Sequence, residues 1–248
     1  MPTCQLPVKY LLFDLDRTLW DFDGNADCTF RSMFVEFELE KLCHVDYNVF
    51  HERYKAINDT LWEAYRNGIL TKELLSLKRF SLTLASFGCD ADSPAIVALS
   101  NKLSDYYVLK GPLQTGLMPG ARELLEWLDK QRDRYCMAVI TNGFSEAQLP
   151  KMKTAGIDRY FDYFLLSEDL GYMKPDRRFF EEALKKMHAQ PSECFVVGDD
   201  YKVDIVGAMN AGIKQVWYNL SGSPLPQGLA VPTYEIRELQ ELITILDK

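Results

Sequence analysis

Short apolar segments alternate with helical patterns along the second half of the chain, and this alternation restricts the possible folds more than any other feature. Segments typical of strands lie at 136–141, 163–168, 194–200 and 214–219, separated by helical patterns near 120–133, 145–155, 176–188 and 202–211. Short strands that alternate with helices favour a parallel sheet covered by helices on both faces. We therefore predict an α/β fold built on a doubly wound parallel sheet.

One further strand is predicted at residues 9–14, and the segment that follows it is helical. Residues 25–110 show helical periodicity and no strand pattern. We expect a helix at 25–42 and three more, whose ends are marked by capping residues, Gly or Pro: Asp46, Asn67-Gly68, Thr71, Gly88, Ser93-Pro94 and Gly111. These four helices favour a four-helix bundle, inserted after the first strand of the α/β domain. A closing helix is expected at 235–247.

Composition and charge restrict the partners. The 248 residues carry a formal net charge of −8 and contain no basic block, so we expect no nucleic acid polymer as a partner. No apolar stretch approaches the ~20 residues of a membrane span. The first ten residues also lack the pattern of a signal peptide. We therefore expect a cytoplasmic protein without a membrane partner, and the sequence leaves its oligomeric state open.

The cysteines and histidines form no evident site. Six cysteines are scattered along the chain: Cys4, Cys28, Cys43, Cys89, Cys136 and Cys194. Without a C-x-x-C pair, they are interpreted as reduced thiols rather than as metal ligands or a nucleophile. The three histidines (His44, His51 and His188) are not clustered, which argues against a zinc site built on histidine.

Polar residues follow the predicted strands at their carboxyl ends. In open α/β sheets the ligand crevice lies outside these strand ends. The polar residues there are Asp14 and Asp16 after the first strand, Thr141 and Asn142 after the second, Lys174 after the third, and Asp199 and Asp204 after the fourth. The sequence therefore predicts that carboxylates, a hydroxyl, an amide and an ammonium group surround one crevice.

The predicted crevice has an excess of negative charge. Asp14, Asp16, Asp199 and Asp204 contribute four carboxylates, and Lys174 contributes one positive charge. Carboxylates that crowd together in a buried site repel each other and need compensation. A hard divalent cation that prefers oxygen ligands, most plausibly Mg²⁺, would supply it. Such a site suits a substrate that is itself an anion.

These residues resemble the four motifs of the haloacid dehalogenase-like superfamily in order and spacing. "DLDRT" (Asp14–Thr18) resembles the first motif, D-x-D-x-[TV], and Thr141 with Asn142 resembles the second. Lys174 in "MKPD" resembles the third motif. "VVGDDYKVD", which ends at Asp204, resembles the fourth. The joint occurrence of all four motifs is far more specific than a lone D-x-D-x-T.

The resemblance implies a Rossmann-like core of residues 1–22 and 112–248, and a helical C1 cap domain of residues 23–111. It also implies catalytic roles. Asp14 would be the nucleophile that forms an aspartyl-phosphate. Asp16 would protonate the leaving oxygen and then deprotonate the hydrolytic water. Thr141 and the backbone N–H of Asn142 would hold phosphoryl oxygens, and Lys174 would offset charge there.

The resemblance further implies a Mg²⁺ site. Its ligands would be Asp14, the backbone carbonyl of Asp16, and Asp199, with Asp204 in support either directly or through water. Asp200 departs from the pattern. It is interpreted either as a further ligand or as a solvated loop residue.

The function implied is that of a Mg²⁺-dependent phosphatase acting on a small phosphomonoester. Dehalogenases of this superfamily lack an acid–base Asp at the position of Asp16, so phosphoryl transfer is favoured. "FDLDRTLWDF", the C1 cap and "TNG" most resemble the pyrimidine 5′-nucleotidase branch, which implies a nucleoside 5′-monophosphate as substrate. The alternatives are a phosphomutase of the phosphoglucomutase-like branch and a catalytically silent scaffold. A scaffold would be expected to lack Asp14, Asp16 or Lys174, and all three are present.

Aromatic residues could bind a nucleobase, but most have a simpler interpretation. Phe50, Tyr54, Leu61 and Tyr65, with Ile57 between them, fall on one helix face and are interpreted as bundle core. Trp20 is the better candidate for a substrate-facing ring, or else it packs between cap and core. Asp21 and Asp23 are interpreted as loop or cap residues.

Overall fold

A single parallel sheet organises the chain in the computed structural model, which describes residues 8–225 and 227–247. Its six strands are arranged in the order β3-β2-β1-β4-β5-β6. They are β1 (Tyr10–Phe13), β2 (Cys136–Thr141), β3 (Tyr163–Leu166), β4 (Cys194–Gly198), β5 (Lys214–Tyr218) and β6 (Tyr234–Ile236). All neighbouring strands run parallel, with β1 between β2 and β4. The α/β prediction is confirmed.

The chain divides into two compact units. The described residues up to Asp23 and from Thr115 onward form one unit, and Gly24–Gln114 form the other. The domain boundaries expected from the sequence lie between residues 22 and 23 and between residues 111 and 112, and they stay a prediction.

The unit of residues 24–114 is helical. It contains all but the first two residues of α1 (Phe22–Glu36), together with α2 (Leu39–Cys43), α3 (Tyr47–Arg66), α4 (Lys72–Ala85) and α5 (Pro94–Lys110). The predicted N-caps are confirmed, because three side chains accept hydrogen bonds from first-turn amides: Asp46 from Val49, Thr71 from Leu74, and Ser93 from Ile96. Each of these side chains satisfies a backbone N–H that would otherwise lack a partner in its helix.

The prediction of a single helix at 25–42 is wrong. The chain leaves α1 after Glu36 and starts α2 at Leu39, with Glu38 between them in the left-handed region at φ 50°. Leu39 is fully buried. Its burial stabilises a conformation that the local sequence alone does not favour.

Aromatic side chains fill the interior of this helical unit. Phe50 and Tyr54 are buried, and the ring centroids of Tyr54 and Phe30 lie 4.3 Å apart. Leu61 is buried as well, whereas Tyr65 is half-buried. The core interpretation of Phe50, Tyr54 and Leu61 is confirmed.

Helices cover both faces of the sheet. They are α6 (Ala121–Asp129), α7 (Ser145–Ala155), α8 (Ser167–Leu170), α9 (Arg177–Met187), α10 (Val206–Asn210) and α11 (Glu241–Leu246). In β1, Leu11 and Phe13 pack into one apolar cluster and Leu12 into another, as the two-residue period of a strand requires. Strands buried on both faces explain the continuous apolar runs in the sequence.

Two predicted boundaries are wrong at the edges of the sheet. The segment 235–247 is not one helix, because β6 precedes α11. The three residues of β6 have too short an apolar pattern to be recognised, and they become a strand by pairing with β5. The predicted strand at 163–168 ends at Leu166, because Ser167 and Glu168 begin α8.

None of the helices in the described part of the chain combines the length and apolar character needed to cross a membrane. The cysteines within the described ranges have free thiols: Cys28, Cys43, Cys89, Cys136 and Cys194. Cys4 and most of the segment examined for a signal peptide lie outside the described residues.

Candidate active site

The predicted polar residues meet at the carboxyl edge of the sheet because parallel strands all end there. Asp14 directly follows β1, Thr141 ends β2, and Asp199 directly follows β4. Their neighbours are Asp16, Asn142 and Asp204, which lie on the connections after the same three strands, and Lys174, which lies on the connection after β3. The apolar strand bodies thus bring side chains from distant parts of the sequence into direct contact.

Lys174 is the centre of this arrangement. Lys174 is 1% exposed, and its ammonium group donates hydrogen bonds to Asp14 Oδ1 at 2.6 Å, Asp204 Oδ1 at 2.7 Å and the Ile140 carbonyl at 3.0 Å. Burial alone disfavours the charged form, but the two adjacent carboxylates outweigh it and raise the pKa of Lys174. Lys174 is therefore a permanent buried cation.

One ammonium group does not balance the carboxylates around it. Burial, together with repulsion from Asp204, raises the pKa of Asp14 from an ordinary 3.8 to about 7. Burial and repulsion from Asp14 likewise raise the pKa of Asp199 to about 8, and burial raises the pKa of Asp204. Without further positive charge, the site favours protonated carboxyl groups near neutral pH.

The donor set fits a hard divalent cation. Asp14, Asp199 and Asp204 each offer a carboxylate oxygen, and these oxygens all lie within 4.8 Å of one another. Carboxylate oxygens are the ligands that Mg²⁺ and Ca²⁺ prefer. A cation among them would relieve the repulsion that raises the three pKa values. The Asp16 side chain is not part of this group of oxygens.

Thr18 fixes Asp199 in the site. Its hydroxyl accepts from the Asp199 backbone N–H at 3.1 Å and lies 3.3 Å from Asp199 Oδ1. The Trp217 indole donates to the Asp199 carbonyl at 2.9 Å. Thr18 was not among the predicted site residues, although its place at the end of the D-x-D-x-T pattern was a usable signal.

Asn142 acts on Lys174 through its side chain. The Asn142 amide donates to the Lys174 carbonyl and accepts from the Lys174 backbone N–H, both at 2.8 Å. This paired contact ties the loop after β2 to the loop that holds Lys174. The sequence analysis considered only the backbone N–H of Asn142.

The Thr141 hydroxyl has one hydrogen left to donate. It accepts from the Gly143 backbone N–H at 3.0 Å and from Gln148 Nε2 at 2.7 Å. A hydroxyl has two acceptor positions and one donor. With both acceptor positions filled, its O–H is left to donate, as an anion-binding group requires.

Asp16 is held by two residues that the sequence analysis missed. Lys151 Nζ donates to Asp16 Oδ1 at 2.7 Å, and Gln148 Nε2 donates to Asp16 Oδ2 at 2.9 Å. Both lie on α7, three positions apart and so on the same helix face. That spacing, just after Thr141, was the available signal, but nothing local indicated that this face meets Asp16.

Gly198 permits the close approach of Asp204. A Cβ atom at this position would lie 2.5 Å from Asp204 Oδ2. Asp200 caps the helical turn that carries Asp204, because its side chain accepts from the Lys202 and Val203 backbone N–H groups at 2.9 and 3.0 Å. Of the two interpretations of Asp200, the loop role is the one that these contacts describe.

Trp20 is 2% exposed, and the Lys151 ammonium lies 4.4 Å from its ring centre. A substrate-facing role for Trp20 stays a prediction. Asp23 lies in the first turn of α1 and pairs with Arg17 at 2.7 Å on the surface, so it is a helix residue rather than the loop or cap residue predicted.

Known proteins resemble this chain over nearly its whole length. The model of the haloacid dehalogenase-like hydrolase family matches residues 8–212. The chain is 32% identical to the pyrimidine 5′-nucleotidase PynA of Streptococcus pneumoniae, with 97% of this chain and 95% of PynA covered. It is 30% identical to the pyrimidine 5′-nucleotidase YjjG of Escherichia coli, with 96% and 98% covered.

Two further comparisons bear on metal and substrate. The crystal structure of the HAD-hydrolase YfnB from Bacillus subtilis, bound to magnesium, has a TM-score of 0.83 and 28% identity, with 98% of this chain and 100% of YfnB covered. A glyceraldehyde 3-phosphate phosphatase of Methanothermobacter thermautotrophicus is 30% identical, with 86% of each chain covered.

The raised carboxyl pKa values predict a pH-dependent stability when divalent cations are removed by a chelator. Between about pH 4 and 8 the folded protein keeps protons on Asp14 and Asp199 that the unfolded chain has lost. The free energy of unfolding should therefore fall as the pH rises through this window, by more than the ~1.4 kcal/mol of one pKa unit. Urea unfolding at about pH 5 and pH 8 measures the change.

Asp199→Asn is the matched variant for this measurement, because its amide cannot ionise. The loss of stability between the two pH values should be smaller in the variant than in the wild type. An equal loss in both proteins would contradict the assignment of the pH dependence to this site.

Proposed function

Because the chain belongs to the haloacid dehalogenase-like hydrolase family, we propose that it is a Mg²⁺-dependent phosphatase that hydrolyses a small phosphomonoester through an aspartyl-phosphate on Asp14. The family resemblance predicted from the four motifs is confirmed by the family match. The observation that carries the proposal is the contact of Lys174 with Asp14 and Asp204, beside Asp199 and at the same sheet edge as Asp16.

Asp14 is proposed as the nucleophile. One of its oxygens attacks phosphorus, the bond from phosphorus to the ester oxygen breaks, and the phosphoryl group remains on the carboxylate. Lys174 donates to Asp14 Oδ1 at 2.6 Å. This contact fixes the carboxylate and offsets the charge that gathers on the phosphoryl group.

Asp16 is proposed as the acid and base. It gives a proton to the departing ester oxygen, and in the second step it takes a proton from the water that attacks phosphorus. The cleaved acyl-phosphate bond then returns Asp14 as a carboxylate and releases inorganic phosphate. The presence of Asp16 supports phosphoryl transfer over dehalogenation, since a carbon–halogen bond needs no proton on its leaving group.

The phosphoryl oxygens are proposed to bind Thr141 and the backbone N–H of Asn142. The Thr141 hydroxyl supports this role, because its two acceptor positions are filled and its hydrogen is left to donate. Lys174 adds positive charge on the same side of the crevice.

Mg²⁺ is proposed to bind Asp14, Asp199, Asp204 and the backbone carbonyl of Asp16. When bound, it supplies the positive charge that lets the buried carboxylates ionise and that attracts a phosphate. The magnesium-bound YfnB structure and the cluster of carboxylate oxygens support this choice of metal.

A nucleoside 5′-monophosphate, with a pyrimidine base preferred, is the proposed substrate. The support comes from two relatives, PynA and YjjG, that are pyrimidine 5′-nucleotidases. Base stacking on Phe50 or Tyr54, considered from the sequence, adds no support because both side chains are buried in the helical unit. A sugar phosphate is the second candidate, since a glyceraldehyde 3-phosphate phosphatase is related at similar identity.

Substitution of the two catalytic carboxylates tests the chemistry. Asp14→Asn should abolish turnover, because an amide is a poor nucleophile. Asp16→Asn should lower kcat on an alkyl phosphate by about 10²–10⁴-fold, because an amide cannot shuttle the proton. Phosphate release in the presence of Mg²⁺ is the measurement. Asp133→Asn, an exposed carboxylate, is the control and should be unaffected.

Near wild-type turnover by Asp14→Asn, once deamidation has been excluded by mass spectrometry, would contradict the nucleophile assignment. Formation of an isomeric phosphate ester in place of inorganic phosphate would favour the phosphomutase alternative.

Steady-state kcat/KM values test the substrate. We expect UMP and dTMP to exceed AMP, and all three nucleotides to exceed glucose 6-phosphate and glyceraldehyde 3-phosphate. A tenfold preference in kcat/KM corresponds to about 1.4 kcal/mol of difference in transition-state binding. A clear preference for either sugar phosphate would end the nucleotidase proposal and leave the phosphatase chemistry intact.

A further inference from the structure

Two side chains of α7 each donate a hydrogen bond to one oxygen of the Asp16 carboxylate. Lys151 donates to Oδ1 at 2.7 Å and Gln148 donates to Oδ2 at 2.9 Å. Both donors are buried, with 7% of Lys151 and 1% of Gln148 exposed. Ion pairs on an open surface contribute little, but buried and doubly bonded groups are held in one geometry. Neither residue has a role in the chemistry proposed so far.

Gln148 joins Asp16 to the proposed phosphoryl site. Its Nε2 bonds both Asp16 Oδ2 and, at 2.7 Å, the Thr141 hydroxyl. Its Oε1 is buried and has no hydrogen-bond partner within the described ranges. A buried oxygen without a hydrogen-bond partner is unfavourable. The orientation of the Gln148 amide is therefore set by the two bonds that its Nε2 donates to Asp16 and Thr141.

Gly143 provides the space for this contact. A Cβ atom at position 143 would lie 2.2 Å from Gln148 Nε2. Any side chain there would displace the amide from Thr141 and Asp16. The glycine of the "TNG" segment therefore leaves free the space that the Gln148 amide occupies.

Two aromatic rings also contact Lys151. Its ammonium group lies 4.4 Å from the Trp20 ring centre and 5.3 Å from that of Phe22. Ring faces attract a cation at these distances. Trp20 thus has a described contact that needs no substrate: it helps to place the lysine that binds Asp16.

We propose that Gln148 and Lys151 are positioning residues that hold the Asp16 carboxyl group beside the phosphoryl site for proton transfer; this inference rests on the proposed function. A protonated carboxyl oxygen has one donor and keeps an acceptor position. Oδ2 can therefore pass its proton to the ester oxygen while it still accepts from Gln148, and Oδ1 accepts from Lys151 throughout. The two contacts fix the position of the Asp16 carboxyl group relative to Thr141.

The test compares esters that differ in their need for a proton on the leaving oxygen. Lys151→Met and Gln148→Met remove the two donors and keep apolar volume. We expect each to lower kcat/KM, which reports the step that releases the leaving group, about tenfold or more on an alkyl ester and less than about threefold on p-nitrophenyl phosphate, whose leaving group departs as a stable anion. The alkyl ester is UMP or glyceraldehyde 3-phosphate, whichever the wild type hydrolyses faster.

Three controls accompany these variants. Lys151→Arg should recover part of the loss, because it restores a cationic donor. Lys153→Met changes an exposed lysine of the same helix and should leave both rates unchanged. In an Asp16→Asn background, Lys151→Met should cause little further loss, because a residue that acts through Asp16 has nothing left to position.

Thermal unfolding verifies that each variant is folded at the assay temperature. If Lys151→Met is unfolded there, Gln148→Met alone provides the test. Equal losses on both esters, a faster alkyl reaction, or a full additional loss in the Asp16→Asn background would overturn the inference and leave the phosphatase proposal standing. Hydrolysis of neither ester by the wild type would overturn both.

Discussion

The buried contact of Lys174 with Asp14 and Asp204 is the interaction on which the rest of the site depends. Its three residues come from connections after β3, β1 and β4, so the contact forms only when the sheet is complete. Removing water from a charged group costs several kcal/mol even after relaxation, and only close pairing offsets this. Loss of Lys174 would leave the buried Asp14 and Asp204 carboxylates without this cation. The site and the fold are therefore stabilised together.

A second set of hydrogen bonds holds the catalytic candidates in place. Asn142 binds the Lys174 backbone, Thr18 binds Asp199, and Gln148 spans Asp16 and Thr141. Asn142 follows β2 and contacts the loop after β3, and Thr18 follows β1 and contacts Asp199 after β4. Gln148 contacts residues at two strand ends, those of β1 and β2. Groups whose neighbours are fixed in this way do not need to be reoriented when a substrate binds, which is the usual source of electrostatic stabilisation in active sites.

The sequence was sufficient for the features encoded locally. Apolar strands with Asp14, Thr141 and Asp199 at their ends predicted the sheet and the crevice, and Asp46 and other capping residues predicted helix starts. Features that depend on tertiary contacts were not predictable. The left-handed break at Glu38 accompanies the burial of Leu39, and β6 exists only through its pairing with β5. The contacts of Gln148 and Lys151 with Asp16 likewise join residues more than 130 positions apart.

We propose that the three clustered carboxylates form a cation site whose negative charge Lys174 only partly balances. Calorimetric titration of the chelator-treated protein with Mg²⁺ near pH 8 tests it most directly. We predict one ion per chain in the wild type, loss of binding in Asp199→Asn, and retention in Asp16→Asn, whose side chain lies outside the group of oxygens. Absence of binding in the wild type, or unchanged binding in Asp199→Asn, would contradict the account.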